Sequence, residues 1–186
     1  MLMTGGYIKM PQSNSPYFEF LHSTLGEGLV GVEIGIWDGG NAEAVLGHIK
    51  PSKYYMIDPY RASKEYVGPQ FSQEEFDKMH NIMCTLFGRF PNVVILKMTA
   101  LEASEIIEND LDFVYIDGSH TYENKMLDLR TWYPKVRAGG VIGGDDYVIP
   151  SVIKAVNDFE EEMGIKFEIA NYTPPHPPEY WTIKKG

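Results

Sequence analysis

The segment Val32-Glu33-Ile34-Gly35-Ile36-Trp37-Asp38-Gly39-Gly40-Asn41 decides the fold. It runs from an apolar strand through a glycine-rich turn toward a helical pattern that begins at Ala42. Gly35 lets a ligand approach the backbone closely, while Gly39 and Gly40 permit unusual φ angles ahead of a helix whose exposed amides suit an anion. The spacing is not G-x-G-x-x-G, because Ile36, Trp37 and Asp38 follow Gly35, and this argues against a nicotinamide enzyme. Read alone, the loop also suits a turn without a ligand.

Outward from this loop the same pattern recurs. Short runs rich in Val, Ile and Tyr at Leu29–Ile34, Tyr54–Ile57, Val93–Lys97, Phe113–Ile116 and Gly140–Gly143 alternate with helical stretches at Ala42–Ile49, Ser72–Phe87, Tyr122–Tyr133 and Ser151–Met163. Continuous apolar strands imply a sheet covered on both faces, whose ligands sit beyond the carboxyl ends of the strands. Lys166–Ala170 and Tyr180–Lys184 read as two more strands, joined through a Pro-rich loop at Thr173–Pro178. Their connection is too short for a crossover helix, so they form an antiparallel pair. The expectation is an α/β fold with a mostly parallel, doubly wound, seven-stranded sheet and an antiparallel C-terminal pair. Residues 1–28 form an N-terminal extension and 29–186 the core, within one domain. Tyr7–Phe20 and Tyr60–Pro91 lie outside the minimal strand–helix alternation and are expected to shape a substrate pocket.

Composition narrows the function. The 186 residues carry 16 Lys+Arg against 26 Asp+Glu, a formal charge of −10, which opposes general attraction to nucleic acid or an anionic membrane. No apolar run approaches the ~20 residues that span a bilayer, and Met1–Met10 lacks the pattern of a signal peptide. The reading is a soluble, cytoplasmic protein. Cys84 is the only cysteine, so there is neither an internal disulfide nor a thiolate metal cluster.

The chemistry concentrates at strand ends. Tyr55-Met56-Ile57-Asp58-Pro59 places a carboxylate where it can accept both hydroxyls of a ribose, or else cap a turn. Further on, Asp112-Phe113-Val114-Tyr115-Ile116-Asp117-Gly118-Ser119-His120-Thr121-Tyr122-Glu123 precedes Ala138-Gly139-Gly140-Val141-Ile142-Gly143-Gly144-Asp145-Asp146-Tyr147. Neighbouring parallel strands bring Asp117, Asp145 and Asp146 together. Like charges so confined oppose ionisation, and a hard divalent ion such as Mg²⁺ relieves this. Asp145 and Asp146 can share an ion only if the strand ends before them, as Gly143-Gly144 suggests; otherwise Asp146 caps the next element. His120 is either a general base beside such a site or a structural histidine. Trp37, Tyr60, Tyr122 and Tyr147 are available as pocket walls or as packing.

Together these residues resemble the class I S-adenosylmethionine-dependent methyltransferases, with their Rossmann-like fold, from roughly Leu29 to Lys184. The resemblance implies that Glu33, Gly35, Trp37 and Gly39 face the methionine part of the donor and that Asp58 holds its ribose. Thr99 and Ala100, with Leu101, would lie against the adenine. The pattern I-D-G-S-H-T-Y-E followed by G-G-V-I-G-G-D-D-Y is similar to the macrocin O-methyltransferase-like family, which modifies sugar hydroxyls. It implies Asp117, Asp145 and Asp146 as Mg²⁺ ligands, Asp117 also beside the donor, and His120 in the place of a catalytic lysine in catechol O-methyltransferase.

The leading expectation is therefore metal-assisted O-methylation of a small hydroxylated acceptor, such as a sugar or polyol. Metal-independent N-methylation and a non-catalytic donor-binding or scaffold protein are the competing readings. With little chain left for an acceptor domain, the acceptor is small or its pocket is completed by a second subunit of a homo-oligomer.

Overall fold

The computed structural model describes residues 15–62, 71–171 and 177–186. Five parallel strands, β1 (Val30–Ile34), β2 (Lys53–Ile57), β3 (Val93–Leu96), β4 (Leu111–Ile116) and β5 (Val136–Gly144), are joined by β6 (Glu168–Ile169) and β7 (Tyr180–Ile183). The sheet order is β3-β2-β1-β4-β5-β7-β6, with β7 antiparallel to both β5 and β6. This is the mixed, Rossmann-like architecture expected, closed by the antiparallel pair. The order reverses between β1 and β4, which pair in parallel from Gly31↔Phe113 to Ile34↔Ile116. Such a reversal opens a crevice at the carboxyl ends of the strands.

Helices cover both faces. On one side lie α1 (Pro16–Leu25), α2 (Gly40–Ala44) and α3 (Gln73–Phe87), sharing a core of Tyr17, Leu21, Val45, Met56, Met83 and Phe113. On the other lie α4 (Ala100–Ile106), α5 (Tyr122–Trp132) and α6 (Pro150–Met163), packed around Val32, Val114, Ile142, Leu129, Trp132 and Phe159. Successive strand residues point to opposite faces, so continuous apolar strands feed both layers.

Several elements differ from expectation. Beyond Ala44 the second helix continues as a π-turn, Val45–Ile49, closed by Lys50 N–H donating to Val45 O at 3.1 Å with Lys50 in the left-handed region. Helix α1 was not foreseen, although Ser15 caps it by accepting from Phe18 N–H and Pro16 follows at its first position. Nor was α4, which begins at a reciprocal capping box between Thr99 and Glu102. β5 starts at Val136 rather than Gly140, with its register to β4 shifting between Leu111 and Phe113. Most of the Pro-rich loop, 173–176, and part of each segment expected to shape the acceptor pocket lie outside the described residues.

Glycine is required where layers meet. A Cβ on Gly143 would stand 2.1 Å from Tyr180 O and 2.8 Å from the Tyr17 ring, so α1 and β7 both lie against this point of β5.

Candidate active site

The β1 loop is shaped by its glycines and by Asp58. Gly35 has φ 87° and donates its N–H to Ile57 O at 2.8 Å; a Cβ there would fall 2.1 Å from Asp117 O. The loops after β1 and β4 therefore touch, and only glycine fits between them. Gly39 has φ 79°, and its α-carbon faces Phe87 and Met83 of α3 too closely for a side chain. Trp37 and Tyr60 also have positive φ, at 52° and 43°, a cost that the surroundings must offset.

Asp58 supplies much of that support. Its Oδ2 accepts from Ile36 N–H and Trp37 N–H, both at 3.1 Å, and its Oδ1 accepts from Tyr60 N–H at 2.7 Å. Burial raises its pKa above the ordinary carboxylate value, and the three amides pull the other way. A carboxylate has about four acceptor positions, so this one braces the loop and retains room for a further donor. Tyr60 Oη donates to Trp37 O at 3.3 Å, and Trp37 meets Phe71 edge-on at 4.8 Å. Trp37 and Tyr60 thus form one aromatic wall. Tyr122 and Tyr147 do not join it: their hydroxyls bond Asp158 and Asn157 of α6, tying α6 to the start of α5 and to the β5 loop.

Glu33 lies within β1, wholly buried, with its Oε2 bonded by the Tyr54 hydroxyl. Its carboxylate is part of the sheet face behind the loop. Thr99 and Ala100 stand at the carboxyl end of β3, with β2 between them and the glycine loop; Thr99 Oγ1 donates to Glu102 Oε2 at 2.7 Å within its capping box.

The acidic residues converge at the adjoining ends of β4 and β5. Asp117, His120 and Asp146 offer ligand atoms that all lie within 4.8 Å of one another, the single such group among the described residues. His120 Nε2 is 2.7 Å from Asp146 Oδ2. Asp146 reaches this place because β5 ends at Gly144 and its own φ is 66°, which turns the chain. Asp145, expected as a third acidic ligand, stands outside the group. It is buried, and its Oδ1 accepts from Asp146 N–H at 2.7 Å, so it fixes the turn that presents Asp146.

Four residues escaped the sequence reading. Asn41, buried at the start of α2, donates through Nδ2 to Asp117 Oδ2 at 3.4 Å and so links the glycine loop to the acidic group. Glu179 is buried behind the same strand ends and accepts from Ser15 Oγ at 2.6 Å, Tyr17 N–H at 2.8 Å and Tyr115 Oη at 2.9 Å. Lys125 and Asp128, on the inner face of α5, are buried beneath the β4 loop. Their signal was positional, since both fall on the same helical side as buried Met126, Leu129 and Trp132.

A glycine loop, a carboxylate directly after the second strand and an acidic group beside the sheet's reversal point stand together at the carboxyl edge of a sheet with the S-adenosylmethionine-dependent methyltransferase fold. Residues 32–147, well over half of the chain, match the family model described as a methyltransferase domain, and the chain belongs to this family. An uncharacterized protein of Acanthamoeba polyphaga mimivirus is 28% identical over 158 residues, covering 77% of this chain and 67% of that relative. The O-methyltransferase NovP superposes with a TM-score of 0.65 at 17% identity over 91% of this chain and 80% of its own. An S-adenosylmethionine-dependent O-methyltransferase from Thermotoga maritima gives 0.63 at 14% identity, covering 91% of this chain and 65% of that one. An rRNA methylase from Streptococcus thermophilus gives 0.63 at 14% identity over 97% of this chain and all of that one. Among the described residues no helix is long and apolar enough to cross a membrane.

Proposed function

We propose that the protein catalyses metal-assisted O-methylation of a small hydroxylated acceptor, a sugar or polyol, with residues 29–186 as the donor-binding core. The observation that carries this is the meeting of Asp117, His120 and Asp146 within 4.8 Å beside the glycine loop. The two carboxylates are hard oxygen donors of the kind that suit Mg²⁺ or Mn²⁺, and the imidazole beside them is a base rather than a ligand. Asp117 and Asp146 would hold the ion, and Asp145 would keep Asp146 in place. When bound, S-adenosylmethionine supplies a methyl group activated on sulfur, and a divalent ion favours the alkoxide form of the acceptor.

The chain's own part is alignment and proton removal. Asp58 and the glycine loop would position the ribose and methionine ends of the donor, with Gly35, Trp37 and Gly39 along its length and Thr99 and Ala100 toward the adenine. Holding two reactants in line contributes ~7–11 kcal/mol toward the barrier in well-oriented systems. His120 would take the acceptor's hydroxyl proton on its imidazole, and the Asp146 carboxylate 2.7 Å away would stabilise the imidazolium. Trp37 and Tyr60 would exclude water.

Methyl transfer to a panel of sugars and polyols, measured with excess chelator and then with Mg²⁺ or Mn²⁺ restored, tests the proposal. Turnover is expected to vanish with chelator and return with metal, and Asp146→Asn to lose at least about a hundredfold. Full O-methyl transfer in chelator sinks the metal role, and transfer confined to amines sinks the acceptor class.

A further inference from the structure

A lysine is an unusual residue to find entirely inside a protein, and this fold places one directly under the acidic group. Lys125 has no exposed surface and donates through Nζ to Ile116 O at 3.2 Å, the last carbonyl of β4 before Asp117. Burial lowers its pKa from the ordinary lysine value, and the charges of Asp128, Asp117, Asp146 and Asp145 pull the other way, toward the ammonium. Asp128 lies on the same side of the loop, its Oδ2 3.8 Å from where a Cβ on Gly118 would stand. Tyr180 Oη, buried and without a hydrogen-bond partner among the described residues, adjoins Gly144 at the end of β5. Lys125, Asp128 and the Tyr180 hydroxyl thus lie buried beside the two acidic loops. An ammonium sealed from water is costly unless nearby negative charge offsets the lost hydration. The carboxylates facing Lys125 supply that charge.

We propose that Lys125 is a positioning residue of the methyl-transfer site: an internal counter-cation that anchors the end of β4 and offsets the strand-end carboxylates, thereby limiting how strongly the site prefers the cationic donor to its neutral product. The inference rests on the reading of Asp117, Asp145 and Asp146 as the wall of the donor and metal site. S-adenosylmethionine and S-adenosylhomocysteine differ by one methyl and one positive charge on sulfur. A fixed buried cation therefore disfavours the first relative to the second, whereas a distortion of the pocket weakens both alike. A site that over-stabilised the sulfonium would hold the donor's ground state at the expense of the transition state, in which that charge is being lost.

Titration calorimetry of both ligands with the wild-type protein and with Lys125→Met, Lys125→Gln and Lys125→Arg tests this without recourse to turnover. The ratio of dissociation constants, product over donor, is expected to rise on the order of fivefold in the Met and Gln variants and to stay at the wild-type value in Arg. Gln retains a donor for Ile116 O, so it separates charge from anchoring. An unchanged ratio in either folded neutral variant overturns the proposal. Failure of both to fold also overturns it, by assigning Lys125 to stability alone. Metal independence of methyl transfer, by contrast, would refute the metal reading while the ratio of dissociation constants continued to decide the role of Lys125.

Discussion

Asp58 shows how one side chain serves both shape and chemistry. Three amides converge on its carboxylate, two of them from the glycine loop on the neighbouring strand. Asp58→Asn keeps the size but turns an NH₂ group toward N–H donors. This substitution is expected to cost about 1–3 kcal/mol in urea denaturation and to weaken S-adenosylhomocysteine binding in calorimetry. Asp128 makes a different prediction. Burial pushes its pKa up to about 6 from an ordinary 3.8, with Lys125 opposing the rise. The folded state thus binds a proton that the unfolded chain has already released between these values. Stability should fall as pH rises from about 4 to about 6, by on the order of 3 kcal/mol, and then level off. Asp128→Asn should flatten that part of a pH series of denaturation midpoints.

At the scale of elements, α1 is held to the sheet by Glu179 as well as by its apolar face. Ser15, Tyr17 and Tyr115 all donate to this carboxylate, from the helix start and from β4. Glu179→Ala strands three donors in the interior and is expected to lower stability on the order of 3 kcal/mol, with α1 amides losing protection in hydrogen exchange first. Breaking the α4 cap with Thr99→Ala should cost only about 1 kcal/mol by the same denaturation measurement. The parallel strands, the antiparallel closure and the acidic strand ends were legible because apolar runs and punctuating Gly and Asp residues record them locally. Helices α1 and α4 had local signals too, Ser15-Pro16 and Thr99-x-x-Glu102, but both helices are too short to add a clear periodicity to their caps. Glu179, Asn41 and Lys125 were not legible in this way. Their meaning lies in partners 164, 76 and 9 residues distant; periodicity puts Lys125 on the buried side of α5 but reports none of these contacts.

For the molecule as a whole, ligand and fold are coupled. S-adenosylhomocysteine at a hundredfold excess over its dissociation constant should raise unfolding free energy by about 2.7 kcal/mol, read as a shift in thermal midpoint that grows with ligand concentration. The distribution of charge has a comparable whole-molecule meaning. Of the acidic excess, Glu33, Asp58, Asp145 and Glu179 are buried within the sheet or at its carboxyl edge, while Glu160 and Glu162 pair with Lys166 and Arg130 at the surface. The acidic residues are therefore divided between ion pairs at the surface and the interior near the strand ends.

The pairing of β1 with β4 joins residues that are distant in sequence, with Val32 opposite Val114. Strands β1, β2 and β3 can assemble from nearby chain, but this central seam must close a loop of about eighty residues, and such closures come late in folding. Gly35 touches Asp117 only across that seam. In refolding experiments, helical signal should consequently return before the capacity to bind donor, and recovery of binding should share its rate constant with the slowest phase.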